Sequence, residues 1–178
     1  MLLRLFEICL YALLGTLMFT SKLLMEILPN VHILAMLIVV FTIVFRWKAI
    51  FPIYVFVFLT GVYAGFAPWW IPYLYIWLFP YLMTLMLPKN MPKKIAIPAY
   101  IIVCGLHGFL YGTLYAPAQA LMFGLDFEGM CAWIIAGLGY DAIHGISNCI
   151  TATLVLPLSV PLKKVYTQII SKIKKQTS

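Results

Sequence analysis

The sequence predicts an all-α membrane protein, a six transmembrane helix bundle with both termini cytoplasmic. Three observations predict it. Of the 178 residues, 65% are hydrophobic and only 10% charged, against roughly 45–50% and about 25% in soluble domains. The apolar residues form continuous runs rather than alternating ones, as buried or lipid-facing helices do. Eleven of the twelve Lys and Arg residues fall at alternate ends of the runs, Arg4 at the start of the first and the others in the connections and the tail. With about 20 apolar residues per crossing, the whole chain, 1–178, is a single integral membrane domain. A water-soluble enzyme, a disordered tail and a disulfide-rich secreted module are excluded.

The first helix, about 2–28, carries Arg4 early and no small-residue cleavage site, so it reads as a retained helix rather than a signal peptide. It closes at Leu28-Pro29-Asn30. The second, about 31–45, closes at Arg46 and Lys48, and the third, about 50–66, at Ala67-Pro68-Trp69-Trp70. The fourth, about 71–87, ends in a loop with Pro88, Lys89, Pro92, Lys93 and Lys94. The fifth, about 95–116, is followed by a semi-polar stretch with Gln119, Asp126 and Glu128. The sixth, about 130–160, fades at Pro157 and Pro161 into a basic cytoplasmic tail, 161–178. With six helices, every cation except Lys22 shares one side. The opposite connections hold Asp126 and Glu128 and no Lys or Arg. The positive-inside rule puts both ends in the cytoplasm.

Cys9, Cys104, Cys131 and Cys149 lie inside apolar runs without C-x-x-C spacing, which points to neither zinc nor a redox pair. There is no G-x-x-x-x-G-K-[ST] loop, so the chain has no means of using ATP by itself. No basic patch interleaved with aromatics suggests nucleic acid.

Polar and aromatic residues collect at the outer helix ends. Lys22 and Glu26 are one turn apart on helix one; Asn30 and His32 follow. Trp69, Trp70 and Tyr73 crowd the second outer turn, with Tyr75 and Trp77 beyond. Tyr111, Tyr115, Gln119 and Trp133 flank the third. These residues read either as an interfacial belt or as the aromatic wall of a small-molecule pocket. Deeper, helix five holds His107 among Gly105, Gly108 and Gly112. Asp141, His144 and Asn148 share one face of helix six at i, i+3 and i+7. Ionisable groups at membrane depth cost at least ~2.5–3.5 kcal/mol, so they face the bundle interior. They form a helix-joining hydrogen-bond cluster, a ligand or proton site, or a metal site, the last without any Glu-x-x-His or H-E-x-x-H support. Ala12, Thr16 and Thr20, with Gly15 beside them, give helix one a small-residue stripe that packs internally or against another subunit.

The chain length, the six helices, the helix-one stripe, the Asp-x-x-His-x-x-x-Asn face and the Leu-Pro-Asn turn together resemble the substrate-binding S component of energy-coupling factor (ECF) vitamin transporters, across essentially the whole chain. The resemblance implies a multi-pass protein of the bacterial cytoplasmic membrane. It would capture a vitamin or vitamin precursor from outside with high affinity, as the substrate-specific subunit of an ABC importer. Its partners would be a transmembrane coupling subunit, docked through Ala12, Thr16 and Thr20, and two cytoplasmic ATPases that hydrolyse the ATP. The chain itself is then no enzyme and carries no cofactor. Nickel and cobalt members use a Met-His amino terminus; this chain begins Met1-Leu2-Leu3, which argues against a metal. In that family the docking stripe is usually alanine, and here two of its three positions are threonine. The expected pocket holds Glu26, Asn30, Trp70, Tyr73, Trp77, His107, Tyr111, Trp133, Asp141, His144 and Asn148. Its aromatic surplus and acids suit an aromatic N-heterocycle. The competing functions are an intramembrane enzyme using His107, Asp141 and His144, and a structural membrane subunit that binds nothing.

Overall fold

The computed structural model describes residues 1–28 and 30–177. Those residues are all-helical, with no strand among them. Pro29, in the expected Leu28–Asn30 turn, and Ser178 lie outside the described residues.

Helix α1 (Leu2–Met25) buries Tyr11, Gly15, Met18 and Ser21, a stripe of helical period. It packs on α3 (Ile50–Ala64). A Cβ at Gly15 would sit 2.5 Å from Val55 and 2.8 Å from the Pro52 carbonyl, so only glycine allows this approach. Between them in sequence, α2 (Leu34–Phe45) buries eleven of its twelve residues and forms the centre of the molecule.

α2 and α3 are separated by a single 3-10 turn, Arg46–Ala49, and together make an apolar stretch of 31 residues. They are not one rod. Arg46 takes φ 55 and ψ −129, outside any helical conformation, and the contacts reverse there. Phe45 lies 5.5 Å from Tyr11. Beyond the turn, Glu7 meets Lys48, Tyr11 stacks on Phe51 and Phe19 meets Tyr63. α1 and α3 therefore run parallel and pack directly on each other, with α2 running in the opposite sense. The Arg46 guanidinium holds the turn by donating to the Leu85 carbonyl at 2.8 Å.

Gly65, at φ 86, ends α3. The chain folds back so that Trp70 Nε1 donates to the Val57 carbonyl at 2.9 Å. α4 (Tyr73–Ile76) and α5 (Leu78–Met86) then run antiparallel to α3: Trp77 meets Phe56, and Tyr81 donates to the Trp47 carbonyl.

α6 (Lys93–Phe109) and α7 (Tyr111–Phe123) continue one line broken at Leu110, and Gly124 caps α7 in the left-handed conformation. α8 (Phe127–Ala152) is capped by Asp126, whose carboxylate accepts the Gly129 N–H at 2.8 Å. It runs antiparallel to α6 and α7 on a ladder of small residues. A Cβ at Gly105 would meet Cys149 Sγ, one at Gly108 the Gly145 Cα, and one at Gly112 the Asp141 carboxylate, each at 2.6 Å. Close backbone approach of this kind drives helix pairing in lipid. α9 (Val155–Thr177) leaves α8 at a 50° bend and packs on α2.

Several sequence expectations change. Helix five does not stop at Ala116; it breaks at Leu110 and runs through Pro117 to Phe123. Helix six starts at Phe127 rather than 130 and is two helices, because the chain bends at Thr153–Leu154. The tail 161–178 is helical through Thr177, with Ile173 turned inward. Helix four is the pair α4 and α5.

Three stretches are long and apolar enough to cross a membrane, Leu2–Met25, Leu34–Ala64 and Lys93–Phe123, and a fourth if the bent pair α8–α9 is one span. The cations gather at one end. Arg4 and Lys48 line one surface groove, and Arg46, Lys89 and Lys163 a neighbouring cavity.

Candidate functional site

At the level where α6 gives way to α7, rings from five parts of the chain converge. His107 is wholly buried, its ring 5.3 Å from Trp77, 5.7 Å from Tyr111 and 5.8 Å from His144. Tyr111 lies 4.9 Å from His144. Tyr73 packs edge-on against Trp77 at 5.4 Å. His32, from the connection before α2, closes the group at 5.3 Å from His144. From this cluster a line of rings leads through Tyr115, 6.3 Å from Tyr111, to Trp133, stacked on Tyr115 at 5.9 Å. The Tyr115 hydroxyl donates to the Trp69 carbonyl at 2.9 Å, binding α7 to the turn before α4.

The local reasons are in the sequence. Gly108 and Gly112 let α8 close on α6 and α7, which sets His144 beside His107 and Tyr111. The break at Leu110 exposes backbone donors at the start of α7. Asp141 answers them: both its oxygens accept the Gly112 N–H, each at 3.0 Å.

The structure thus brings together five of the expected site residues: Tyr73, Trp77, His107, Tyr111 and His144. Trp133 joins at one remove, and Asp141 borders the cluster with its carboxylate on the α7 backbone. Asn148 is buried on the same helix, its amide oxygen and nitrogen without partners. Three others lie elsewhere. Trp70 is turned to Phe66 and the Val57 carbonyl. Glu26 is exposed and ion-paired to Lys22 at 2.8 Å. Asn30 sits half-buried at φ 60 in the connection to α2. His32, Tyr115 and Trp69 were visible in the sequence as outer-end residues, but nothing in its spacing tied His32 to a histidine on α8.

Chemically, the cluster is a packed, buried group of rings with unused hydrogen-bonding capacity. Neither nitrogen of His107 has a partner, nor do His32 Nδ1 and Trp77 Nε1. A neutral imidazole offers one donor and one acceptor, and leaving such a group unsatisfied costs about 1–3 kcal/mol. Among the described residues no group of three or more His, Cys, Asp or Glu is arranged to hold a metal ion. Matched against protein-family models, curated proteins and solved structures, the chain finds no counterpart.

Proposed function

We propose that the chain is a six-helix membrane protein with both termini cytoplasmic, and that it captures a small aromatic N-heterocycle, a vitamin or vitamin precursor, as the substrate-binding subunit of an ECF-type importer. The observation that carries this reading is His107: fully buried, ringed by Trp77, Tyr111 and His144, with both nitrogens free of protein partners. Flat rings stack on such walls, and a heteroaromatic edge carries the donors and acceptors that imidazoles match.

Two further features support it. The cations gathered at one end fit a cytoplasmic face. The Ala12, Thr16 and Thr20 face of α1 is exposed, and both threonine hydroxyls donate to their own helix, Thr16 to the Ala12 carbonyl and Thr20 to that of Thr16. The face is therefore smooth and apolar, suited to a coupling subunit that brings the two ATPases.

Native mass spectrometry of the detergent-purified chain tests the reading. A co-purified heteroaromatic molecule of vitamin size is expected. Its affinity should fall about 5–150-fold in His144→Ala and in Tyr111→Ala, the loss of one buried partner each. Unchanged affinity in both folded variants, or no bound molecule at all, leaves the cluster as packing between helices.

A further inference from the structure

At the opposite end of the molecule from the ring line, α2, α5, the connection 87–92, α6 and α9 line a partly open cavity of about 110 Å³. Arg46, Lys89 and Lys163 line it with Tyr100, and Val44 and Leu87 give it an apolar side. Among the described residues no carboxylate lines it. The chain has five acids. Glu26 pairs with Lys22, Asp126 caps α8 beside Glu128, and Asp141 holds Gly112. Glu7, the one acid near this end, is already taken: it accepts from Lys48 Nζ at 2.6 Å and from the Tyr166 hydroxyl at 3.1 Å. Three cations thus converge on one cavity without a protein counter-charge.

Lys89 and Lys163 are exposed and Arg46 is half-buried, so this positive charge is open to an anion approaching from outside the protein. Arg46 spends one donor on the Leu85 carbonyl and keeps others for a ligand. Its left-handed backbone, φ 55 in a non-glycine residue, is conformational strain of the sort that accumulates at binding sites. At about 30 Å³ per water in the liquid, the cavity has room for about four oxygen-sized groups. The apolar side next to the cations suits an amphiphile.

We propose that this cavity binds a phosphate group, supplied by the headgroup of an anionic phospholipid. Basic pockets between helices are known to select such headgroups by charge and hydrogen bonding. The site is independent of the ring cluster and of any transport role.

Delipidated protein, titrated by native mass spectrometry with phosphatidylglycerol, with diacylglycerol and with inorganic phosphate, tests it. Phosphatidylglycerol should bind and diacylglycerol should not. Lys89→Gln with Lys163→Gln should weaken phosphatidylglycerol about 25-fold, about fivefold per cation. Lys93→Gln with Lys94→Gln, at the same end but outside the cavity, should leave it unchanged. Inorganic phosphate binding as strongly as the lipid keeps the site and makes its ligand a free phosphate compound. Equal binding of diacylglycerol, no loss in the first pair, or equal loss in the second overturns the proposal. Thermal unfolding of each variant separates lost binding from lost folding.

Discussion

Asp141 on α8 receives the Gly112 N–H on both carboxylate oxygens, 3.0 Å each, where α7 begins. A carboxylate at a helix start meets the positive end of the helix dipole as well as an orphan donor. The pair joins the break at Leu110 to the helix beside it. It also explains the glycine, since a Cβ there would stand 2.6 Å from Asp141 Oδ2.

Asp141→Ala should therefore destabilise the folded chain by about 1–3 kcal/mol, the cost of a stranded buried donor. Asp141→Asn keeps an acceptor and should cost less. Gly112→Ala should destabilise at least as much as the alanine variant of its partner. Thermal unfolding in detergent gives the order; a stable Gly112→Ala protein would show that the carboxylate moves away freely.

The Gly108–Gly145 crossing predicts a second contrast. Gly108→Ala places a methyl 2.6 Å from the Gly145 Cα, so α6 and α8 must part. Overpacking of this kind costs typically ~1–3 kcal/mol. Gly137→Ala and Gly139→Ala, whose methyls meet nothing within 4 Å, should be neutral or stabilising by up to about 1 kcal/mol, the helix preference for alanine. Equal unfolding temperatures across the three variants would remove the glycine ladder as an explanation of the pairing.

Glu7 joins three elements through Lys48 and Tyr166. Its pair with Lys48 is partly exposed, so Glu7→Gln should cost only about 1 kcal/mol. The effect should be local, because Tyr166 is how α9 grips α1. Limited proteolysis at Lys172–Lys175 is expected to quicken about fivefold while global unfolding barely shifts. A tail cut at the parental rate would mean that Phe45, 4.9 Å from Tyr166, suffices to hold α9.

Membrane orientation has its own measurement. Single cysteines replacing Lys93 and Gly129, in a background without the native four, should label from opposite sides of the membrane. Labelling of both from one side contradicts the proposed topology.

The exposed stripe on α1 predicts a split between binding and uptake. If the chain is the importer subunit proposed above, Thr16→Leu should abolish uptake while ligand affinity stays within twofold. If affinity falls in step with uptake, the face belongs to the pocket and not to a partner.

Much of this architecture could be read directly. Apolar runs mark where helices form, and Asp141, His144 and Asn148, spaced for one face, are all buried. What could not be read is set by tertiary contacts. Nothing at Leu110 signals a break, and the carboxylate that accepts the Gly112 N–H beside it, Asp141, lies 29 residues beyond that glycine. The sequence ends helix five at about 116, yet α7 runs through Pro117 to Phe123. Pro157 and Pro161 read as the fading of a helix, yet α9 runs through both, Pro157 in its first turn and Pro161 in its interior. His32 was legible only as a turn residue, because its ring neighbour, His144, is 112 positions away. Trp70 and Glu26 were assigned to the pocket by residue type, whereas geometry gives each a nearer partner.

The central helix is also short. Twelve residues rise about 18 Å, against a hydrocarbon core of about 30 Å, while α1, with 24 residues, rises about 36 Å. In a bilayer the middle of this molecule is shallower than its wall. Lipid beside the short elements must thin, or polar groups and water must reach inward to their ends, at a fraction of a kcal/mol per Å. The short centre and the long wall thus ask for different bilayer thicknesses, and any one thickness must be reconciled with both.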